Sequence, residues 1–259
     1  SRQPRPASVG RGGPRWVVTQ DEVDRLAAAR RPPIAQAGWD VVFRPPKSYS
    51  VLWAVGGDDL GNDIKAIHHE AVEDALAYLE DAAATARTTA DVAGSRQRVR
   101  VETTGFVAAA FDHRDSRAGD PLLHTHVVIA NATRRPDGSW AALEPRGVYA
   151  QARAADGVYQ ATFRHLAERR LGIASDPVVN GWADAQGVPR SVVEHFSKRS
   201  ADIEAELARI GAHSASARQA AALATRQAKQ PKDGVDLHER WRAEAQAVGF
   251  GPTEVAACI

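Results

Sequence analysis

Two strand-like segments joined by a short loop constrain the fold of this chain more than any other feature of its sequence. Residues 97–113 alternate in strand fashion, and residues 122–131 have strand composition. The loop between them is about eight residues long, so the two strands can lie side by side. On the first strand, the parity of its residues places Phe111 and His113 on one face and Arg98 and Arg100 on the other.

The rest of the chain divides into a mixed part and a helical part. Apolar spacing and composition predict a further strand at 38–43, a short helix or second strand from Ser48 to Val55, a returning strand at 140–143, and helices at 20–31, 62–86 and 147–171. From about residue 189 the pattern is wholly helical, with starts at Ser191, Ser216 and Asp236. The sequence therefore predicts an α+β region over 1–175 and an all-helical extension over 176–259.

Composition excludes several classes of protein. The net charge is +1, from 33 basic and 32 acidic side chains, which argues against a chain coated in positive charge. No apolar run reaches the length of a membrane-spanning helix, and no secretory leader is visible, so we expect no membrane insertion. The single cysteine, Cys258, leaves no internal disulfide and fits a cytoplasmic location.

Three histidines on the two strand-like segments form the most informative pattern. His124 and His126 are two residues apart and project from the same strand face, roughly 7 Å apart at the backbone. His113 ends the preceding strand, so the three imidazoles can converge on one metal ion. Imidazole suits Zn, Mn, Co or Ni, and three protein ligands leave a position open for catalysis. The alternative is three unrelated histidines with ordinary hydrogen bonds.

Other chemistries fit the sequence less well. The residues after His126 lack both the Asp-His pair of a metallo-β-lactamase and the Glu of a cupin. The chain also has no Gly-x-Ser-x-Gly elbow and no Walker A phosphate loop. These absences argue against serine hydrolases of that type and against P-loop ATPases.

The motifs resemble those of a known family. The segment from His113 through Ser116-Arg117, Asp120-Pro121 and His124-Thr125-His126 to Asn131 is similar to the three-histidine motif of conjugative relaxases of the TrwC/TraI type. Two further segments match in order and separation: the Asp motif over 38–48, and Gly187-Val-Pro189 followed by Phe196-Ser-Lys198-Arg199. The resemblance covers nearly all of residues 34–250.

The resemblance implies a fold and an activity. It implies the two-layer palm of the HUH endonucleases, a central antiparallel sheet covered by helices, with helical fingers closing over DNA. It implies nicking of one DNA strand at a transfer origin through a 5′-phosphotyrosyl intermediate, with reversible rejoining. His113, His124 and His126 would hold a divalent metal ion (Mg, Mn or Zn), and Asp40 would be the catalytic acidic residue. Asp40 would either orient a ligand histidine or accept the tyrosine proton.

One element of the family pattern is missing before Asp40. The family's nucleophilic tyrosines precede the Asp motif, but the four tyrosines here are Tyr49, Tyr78, Tyr149 and Tyr159. We expect that the segment with the nucleophile is absent from this sequence; Tyr49 is the only internal substitute. Two other functions therefore stay open: a metal-dependent phosphodiesterase that uses water, and a DNA-binding module without catalysis.

Partners and DNA contacts follow from the same resemblance. We expect a monomer that binds single-stranded DNA carrying an origin-of-transfer hairpin, together with relaxosome accessory proteins. Trp39, Trp140 and Trp182 can stack on bases, although core packing is expected for at least two of them. The predicted DNA-binding residues are polar or basic side chains near the Asp motif, between the histidines and in the helical extension: Lys47, Ser48, Arg114, Arg117, Lys198 and Arg199.

Overall fold

The computed structural model describes residues 36–212, 214–226 and 236–259. The helix predicted at 20–31 lies outside the described residues. The strands are β1 (Gly38–Phe43), β2 (Thr85–Val92), β3 (Ser95–Glu102), β4 (Ala108–Asp115), β5 (Pro121–Ala130), β6 (Thr133–Arg134) and β7 (Trp140–Ala141). The helices are α1 (Lys47–Val55), α2 (Gly57–Ala83), α3 (Pro145–Leu171), α4 (Arg190–His195), α5 (Lys198–Ile210), α6 (Ala215–Ala224), α7 (Leu237–Ala247) and α8 (Pro252–Ala256).

A three-stranded antiparallel sheet in the order β1-β5-β4 forms the centre of the fold. This arrangement confirms the predicted α+β class and the antiparallel pairing of the two strands that carry the histidines. Along β5, buried side chains alternate with more accessible ones. The sheet thus has one face in the core and one open face, as expected for an antiparallel sheet.

The core face of the sheet packs against aromatic and aliphatic side chains from the helices. Phe43 on β1 and Leu123 on β5 are fully buried, and the Phe43 ring lies 5.6 Å from that of Tyr159 on α3. Such aromatic pairs contribute about 0.5–1.5 kcal/mol beyond their buried area. The predicted apolar stripe of α2, spaced at three and four residues, is entirely buried: Ile64, Ile67, Ala71, Ala75 and Leu79.

The single long strand predicted over 97–113 is wrong. The chain forms β3 and β4 instead, and β3 pairs with β2 in a separate two-stranded ribbon. Gly105 lies between them with a φ of +119°, and a Cβ at this position would approach the Glu80 carboxylate to 2.3 Å. The Phe106 amide donates to that same carboxylate. A left-handed backbone beside a carboxylate therefore breaks the strand and sends the chain from one sheet to the other.

Helix α3 ends at a left-handed glycine, as predicted. Gly172 has a φ of +71° and its amide donates to the Glu168 carbonyl at the helix end. The predicted helix start at Ser191 is wrong, because α4 begins at Arg190 after Pro189 and has no side-chain cap. Asp236 does cap α7, accepting from the backbone amides of His238 and Glu239.

The residues after 176 continue the same compact unit as the sheet. The described residues from Gly38 onward belong to one such unit, and the domain boundary near residue 175 stays a prediction. In the ranges that the structure describes, no helix combines the length and apolarity that a membrane span requires.

Candidate metal centre and nucleic-acid interface

The three predicted ligands meet on the open face of the central sheet. His113 on β4 lies opposite His124 on β5 in the strand register, and His126 follows two residues along β5. The ring centroids are 5.2 Å apart for His113 and His124, 4.9 Å for His113 and His126, and 5.3 Å for His124 and His126. The antiparallel pairing of β4 and β5 thus brings together residues that are up to thirteen positions apart in the chain.

These separations fit three imidazoles around one ion. With a metal–nitrogen distance of about 2.1 Å and tetrahedral angles, the ring centroids lie about 5 Å apart. As the side chains stand, no group of three His, Cys, Asp or Glu residues in the described ranges has the geometry to hold a metal ion. Rotation about χ2 turns each ring about an axis that passes close to its centroid, so the nitrogens can turn toward one ion while these centroid distances are kept.

Hydrogen bonds select the same free nitrogen on two of the rings. His126 Nδ1 lies 2.9 and 2.8 Å from the two carboxylate oxygens of Asp40, and His124 Nδ1 lies 2.8 Å from the Leu122 carbonyl. Both partners accept, so the neutral form of each ring carries its proton on Nδ1 and presents a lone pair on Nε2. Burial lowers the pKa of His124, and its two histidine neighbours lower it further. Neutral rings with oriented tautomers are what metal ligation needs.

The predicted DNA contacts at the start of α1 are drawn into the interior. Ser48 is fully buried, its hydroxyl donates to Asp184 over 2.6 Å, and it accepts from the Ala185 amide. The Lys47 ammonium donates to the Pro121 carbonyl. Burial lowers the pKa of Lys47 to about 8, partly offset by the nearby carboxylate of Asp120. Ser48 thus stabilises the packing of the interior, and the Lys47 side chain is half-buried.

The two predicted contacts in the helical extension also have protein partners. The Lys198 ammonium lies 3.2 Å from buried Asp120 and 3.0 Å from Glu244. The Arg199 guanidinium donates to the Thr225 carbonyl at 2.8 Å and also to that of Ala222, at the end of α6. These contacts hold the start of α5 against the loop before β5, against α7 and against the end of α6.

The predicted contacts between the histidines are at the surface. Arg114 follows His113 on β4 and Arg117 lies in the loop before β5, and both are exposed. Along the chain both lie between His113 and His124, and their exposed side chains are accessible to a phosphate.

Of the four tyrosines, Tyr149 alone is well exposed. Tyr49, the internal substitute considered for the nucleophile, is fully buried and its hydroxyl pairs with Ser175 at 2.7 Å. Burial raises the pKa of Tyr49, the opposite of what an attacking phenolate needs. Tyr159 is also buried, and Tyr78 donates to Gln151.

The three tryptophans considered for base stacking have different environments. Trp39 is in the core, and Trp182 is half-buried beneath the Arg44 guanidinium at 5.2 Å. Trp140 is 60% exposed, with Arg134 over its ring. Only Trp140, of these three, is available to a base.

A group of arginines on the β2–β3 ribbon was not predicted as a site. The register pairs Arg87 with Arg100, Thr89 with Arg98 and Asp91 with Arg96, so the four arginines share one face. The alternation of Arg96, Arg98 and Arg100 was visible in the sequence. The sequence did not predict a DNA-binding face here, because a single strand over 97–113 would place these arginines on the face opposite His113.

The TrwC relaxase family model matches residues 12–248, most of the chain. The chain belongs to the TrwC relaxase family. It is 34% identical over 223 residues to the multifunctional conjugation protein TraI of Escherichia coli, and 33% identical to that of strain K12. Each match covers 82% of this chain and 12% of the relative, so the chain spans about an eighth of their length.

Solved structures of TrwC relaxases share this fold. A TrwC complex with a 27-mer DNA comprising the recognition hairpin and the cleavage site matches with a TM-score of 0.75 and 33% identity, over 82% of this chain and 74% of that one. A copper-bound TrwC complex with transfer-origin DNA matches with a TM-score of 0.74 and 32% identity, over 86% of this chain and 75% of that one. The family membership and the predicted relaxase fold are therefore confirmed.

Proposed function

We propose that this chain is the DNA-nicking domain of a conjugative relaxase, which cuts one strand of transfer-origin DNA through a 5′-phosphotyrosyl intermediate and can rejoin it. The observation that carries this proposal is the convergence of three imidazoles on an open sheet face, two of them with Nε2 free. The DNA complexes of the TrwC relatives support the choice of substrate.

We propose that His113, His124 and His126 hold a divalent metal ion. Among Mg, Mn and Zn, an all-imidazole set favours Zn or Mn over Mg, which prefers oxygen ligands. The copper-bound TrwC structure supports a transition metal at such a site. A bound metal would stabilise charge on the scissile phosphate. Asp40 positions His126 through its two carboxylate contacts, which supports the orienting role over direct acceptance of the tyrosine proton.

DNA binding is proposed for two surfaces. Arg114 and Arg117 would contact the phosphates of the single strand near the metal, with Lys47 and Lys198 as partly buried contributors. Arg96, Arg98 and Arg100 on the β2–β3 ribbon would contact the double-stranded stem of the hairpin, because a two-stranded ribbon fits the major groove. Arg87, on the same face, is paired with the buried carboxylate of Glu144. We leave Ser48 out of this proposal because it is fully buried, and Arg199 because its guanidinium donates to two backbone carbonyls at the end of α6. Lys47 and Lys198 also have protein partners, which a phosphate would replace.

The remaining expectations stay proposals. We propose a cytoplasmic monomer that works with relaxosome accessory proteins; the single cysteine supports the compartment. The nucleophile is not assigned to Tyr49, the internal substitute considered above, because its side chain is fully buried.

A nicking assay tests the proposal. The protein is incubated with Mn²⁺ or Mg²⁺ and a labelled single strand that carries the hairpin and nick site of its own transfer origin. A covalent protein–DNA adduct supports the relaxase, and free cleaved DNA without an adduct supports the water-dependent phosphodiesterase. Binding without cleavage, also in any form of the protein that extends upstream of Ser1, supports the non-catalytic module. His124→Ala should abolish metal binding, and unchanged binding would show that the assigned ligands are wrong.

A further inference from the structure

A chain of hydrogen bonds runs beneath the histidine cluster, on the core side of the same two strands. His68 on α2 is fully buried; its Nδ1 lies 2.7 Å from the Tyr159 hydroxyl and its Nε2 lies 2.8 Å from Thr125 Oγ1. Thr125 Oγ1 is 2.8 Å from Asp112 Oδ1, and the other oxygen of Asp112 is 2.8 Å from His69 Nε2. The chain thus joins α3, α2, β5 and β4.

The position of this chain relative to the proposed ligands is specific. Thr125 is the residue between His124 and His126, and Asp112 directly precedes His113. Asp112 and Thr125 are cross-strand partners in the register, adjacent to the partnered pair His113 and His124. The bond between Thr125 and Asp112 therefore links the two strands directly behind the metal centre.

The direction of every bond in the buried part follows from the donors available. The Thr125 hydroxyl has one proton, and the carboxylate of Asp112 can only accept it. Thr125 Oγ1 must then accept from His68, which places the His68 proton on Nε2. His68 Nδ1 consequently accepts from the Tyr159 hydroxyl. Each of these groups is satisfied in one way only, so the chain has a single polarity and a single low-energy arrangement.

The backbone alone holds the two strands less well at this point. The register between β4 and β5 is regular up to His113 and shifts between His113 and Asp115. A bulge interrupts the ladder of backbone hydrogen bonds and bends its strand. His113 is the last regularly paired residue before that shift. Beyond it the backbone hydrogen bonds no longer hold β4 against β5 in register, so the side-chain bond between Asp112 and Thr125 supplies an additional link between the strands.

We propose that Thr125, Asp112 and His68 are positioning residues, which hold β4 against β5 so that the three imidazoles converge on one metal ion. This inference rests on the proposed metal site. According to this inference, hydrogen bonds on the core side of the sheet also contribute to metal affinity. This contribution is separate from the contacts that Asp40 and Leu122 make with the rings themselves.

Another buried threonine of this protein provides a matched control for Thr125. Thr133 on β6 is also fully buried, and its hydroxyl donates to the Gly105 carbonyl at 2.7 Å. Thr125→Val and Thr133→Val each remove one buried hydroxyl with little change of shape, but only Thr125 lies between proposed ligands. Thr125→Ser restores the hydroxyl at the central position.

The first measurement is Mn²⁺ and Zn²⁺ affinity by titration calorimetry, alongside unfolding by urea in chelator. Thr125→Val should bind about 10- to 100-fold more weakly, the usual effect of losing an outer contact of a metal site. Thr125→Ser and Thr133→Val should bind as the unaltered protein does, although Thr133→Val loses stability. Unchanged affinity in Thr125→Val, or an equal loss in Thr133→Val, would overturn the inference.

Two variants at Asp112 keep the inference testable if Thr125→Val fails to fold. The Asp112 side chain is 34% exposed, so its replacement disturbs the core less. Asp112→Asn keeps an acceptor for Thr125 and removes the charge, whereas Asp112→Ala removes both. Positioning predicts weak metal binding in Asp112→Ala and near-normal binding in Asp112→Asn. Equal losses in both would assign the effect to charge and contradict positioning.

A metal-free measurement separates this inference from the proposed function. Amide hydrogen exchange at residues 112–114 and 124–126 should be faster in Thr125→Val than in Thr133→Val. If the unaltered protein binds no metal, the metal site has failed, while exchange still reports whether the link holds the strands. If metal binds and neither affinity nor exchange responds to Thr125→Val, the positioning inference alone has failed.

Discussion

His68 should make the stability of this domain depend on pH in a defined window. The ring is fully buried, and burial lowers its pKa from 6.5 to about 3, with His69 acting in the same direction. As the pH falls below 6.5, the unfolded chain takes up a proton at this residue and the folded chain does not. Folding stability is therefore lost between pH 6.5 and 3, and above that window His68 has little effect.

The size of this effect follows from the two pKa values. Between pH 7 and pH 5 the linkage relation gives a loss of about 2 kcal/mol from His68 alone. The perturbation is His68→Leu, which removes the titrating group. The assay is urea unfolding at pH 7.0 and pH 5.0, in chelator and at constant ionic strength. The variant is less stable at both pH values, but it should lose about 2 kcal/mol less than the unaltered protein between them.

The comparison of two proteins at two pH values removes the contributions of the other histidines, which are common to both. Equal losses in the two proteins would refute the reasoning, because they would mean that the folded state protonates His68 as readily as the unfolded chain does. A larger loss in the variant would have the wrong sign for a buried neutral ring.

Three further outcomes are expected. Asp40→Ala should lower Mn²⁺ affinity by about 10- to 100-fold in titration calorimetry, because His126 loses its orienting carboxylate; unchanged affinity would show that Asp40 has no such role. Ser48→Ala should lower the free energy of unfolding by about 1–3 kcal/mol in urea, since Asp184 and a buried amide lose their partner; a neutral result would contradict the packing role. Arg98→Ala should lower hairpin-DNA affinity and reduce its salt dependence by about one ion, and an unchanged slope would exclude a phosphate contact there.

Much of the secondary structure could be predicted because its signals are local. Periodic spacing of apolar residues, which depends only on near neighbours in the sequence, predicts the strands β1 and β5 and the long helices α2 and α3. The strand β2 was missed because the helical pattern of α2 runs on into it without a strong stop. The break between β3 and β4 was missed because it depends on Glu80, a residue on another element.

The candidate site divides in the same way. The spacing of the three histidines predicted that they share one strand face, because side-chain direction along a strand is a property of the strand itself. Whether a polar residue near them reaches solvent was not predictable. Ser48 and Arg199 have surface-like sequence surroundings, yet their partners lie 136 and 26 residues away.

By itself, then, the sequence determined the class of fold, the strands that carry the histidines and the resemblance to relaxases. Only the tertiary structure decided which arginines share the face of a separate ribbon, and that His68 lies behind the three histidines. His68 lies 57 residues from Thr125 and 91 from Tyr159. Periodicity describes a residue's own element, whereas a buried hydrogen bond depends on how distant elements return to one place.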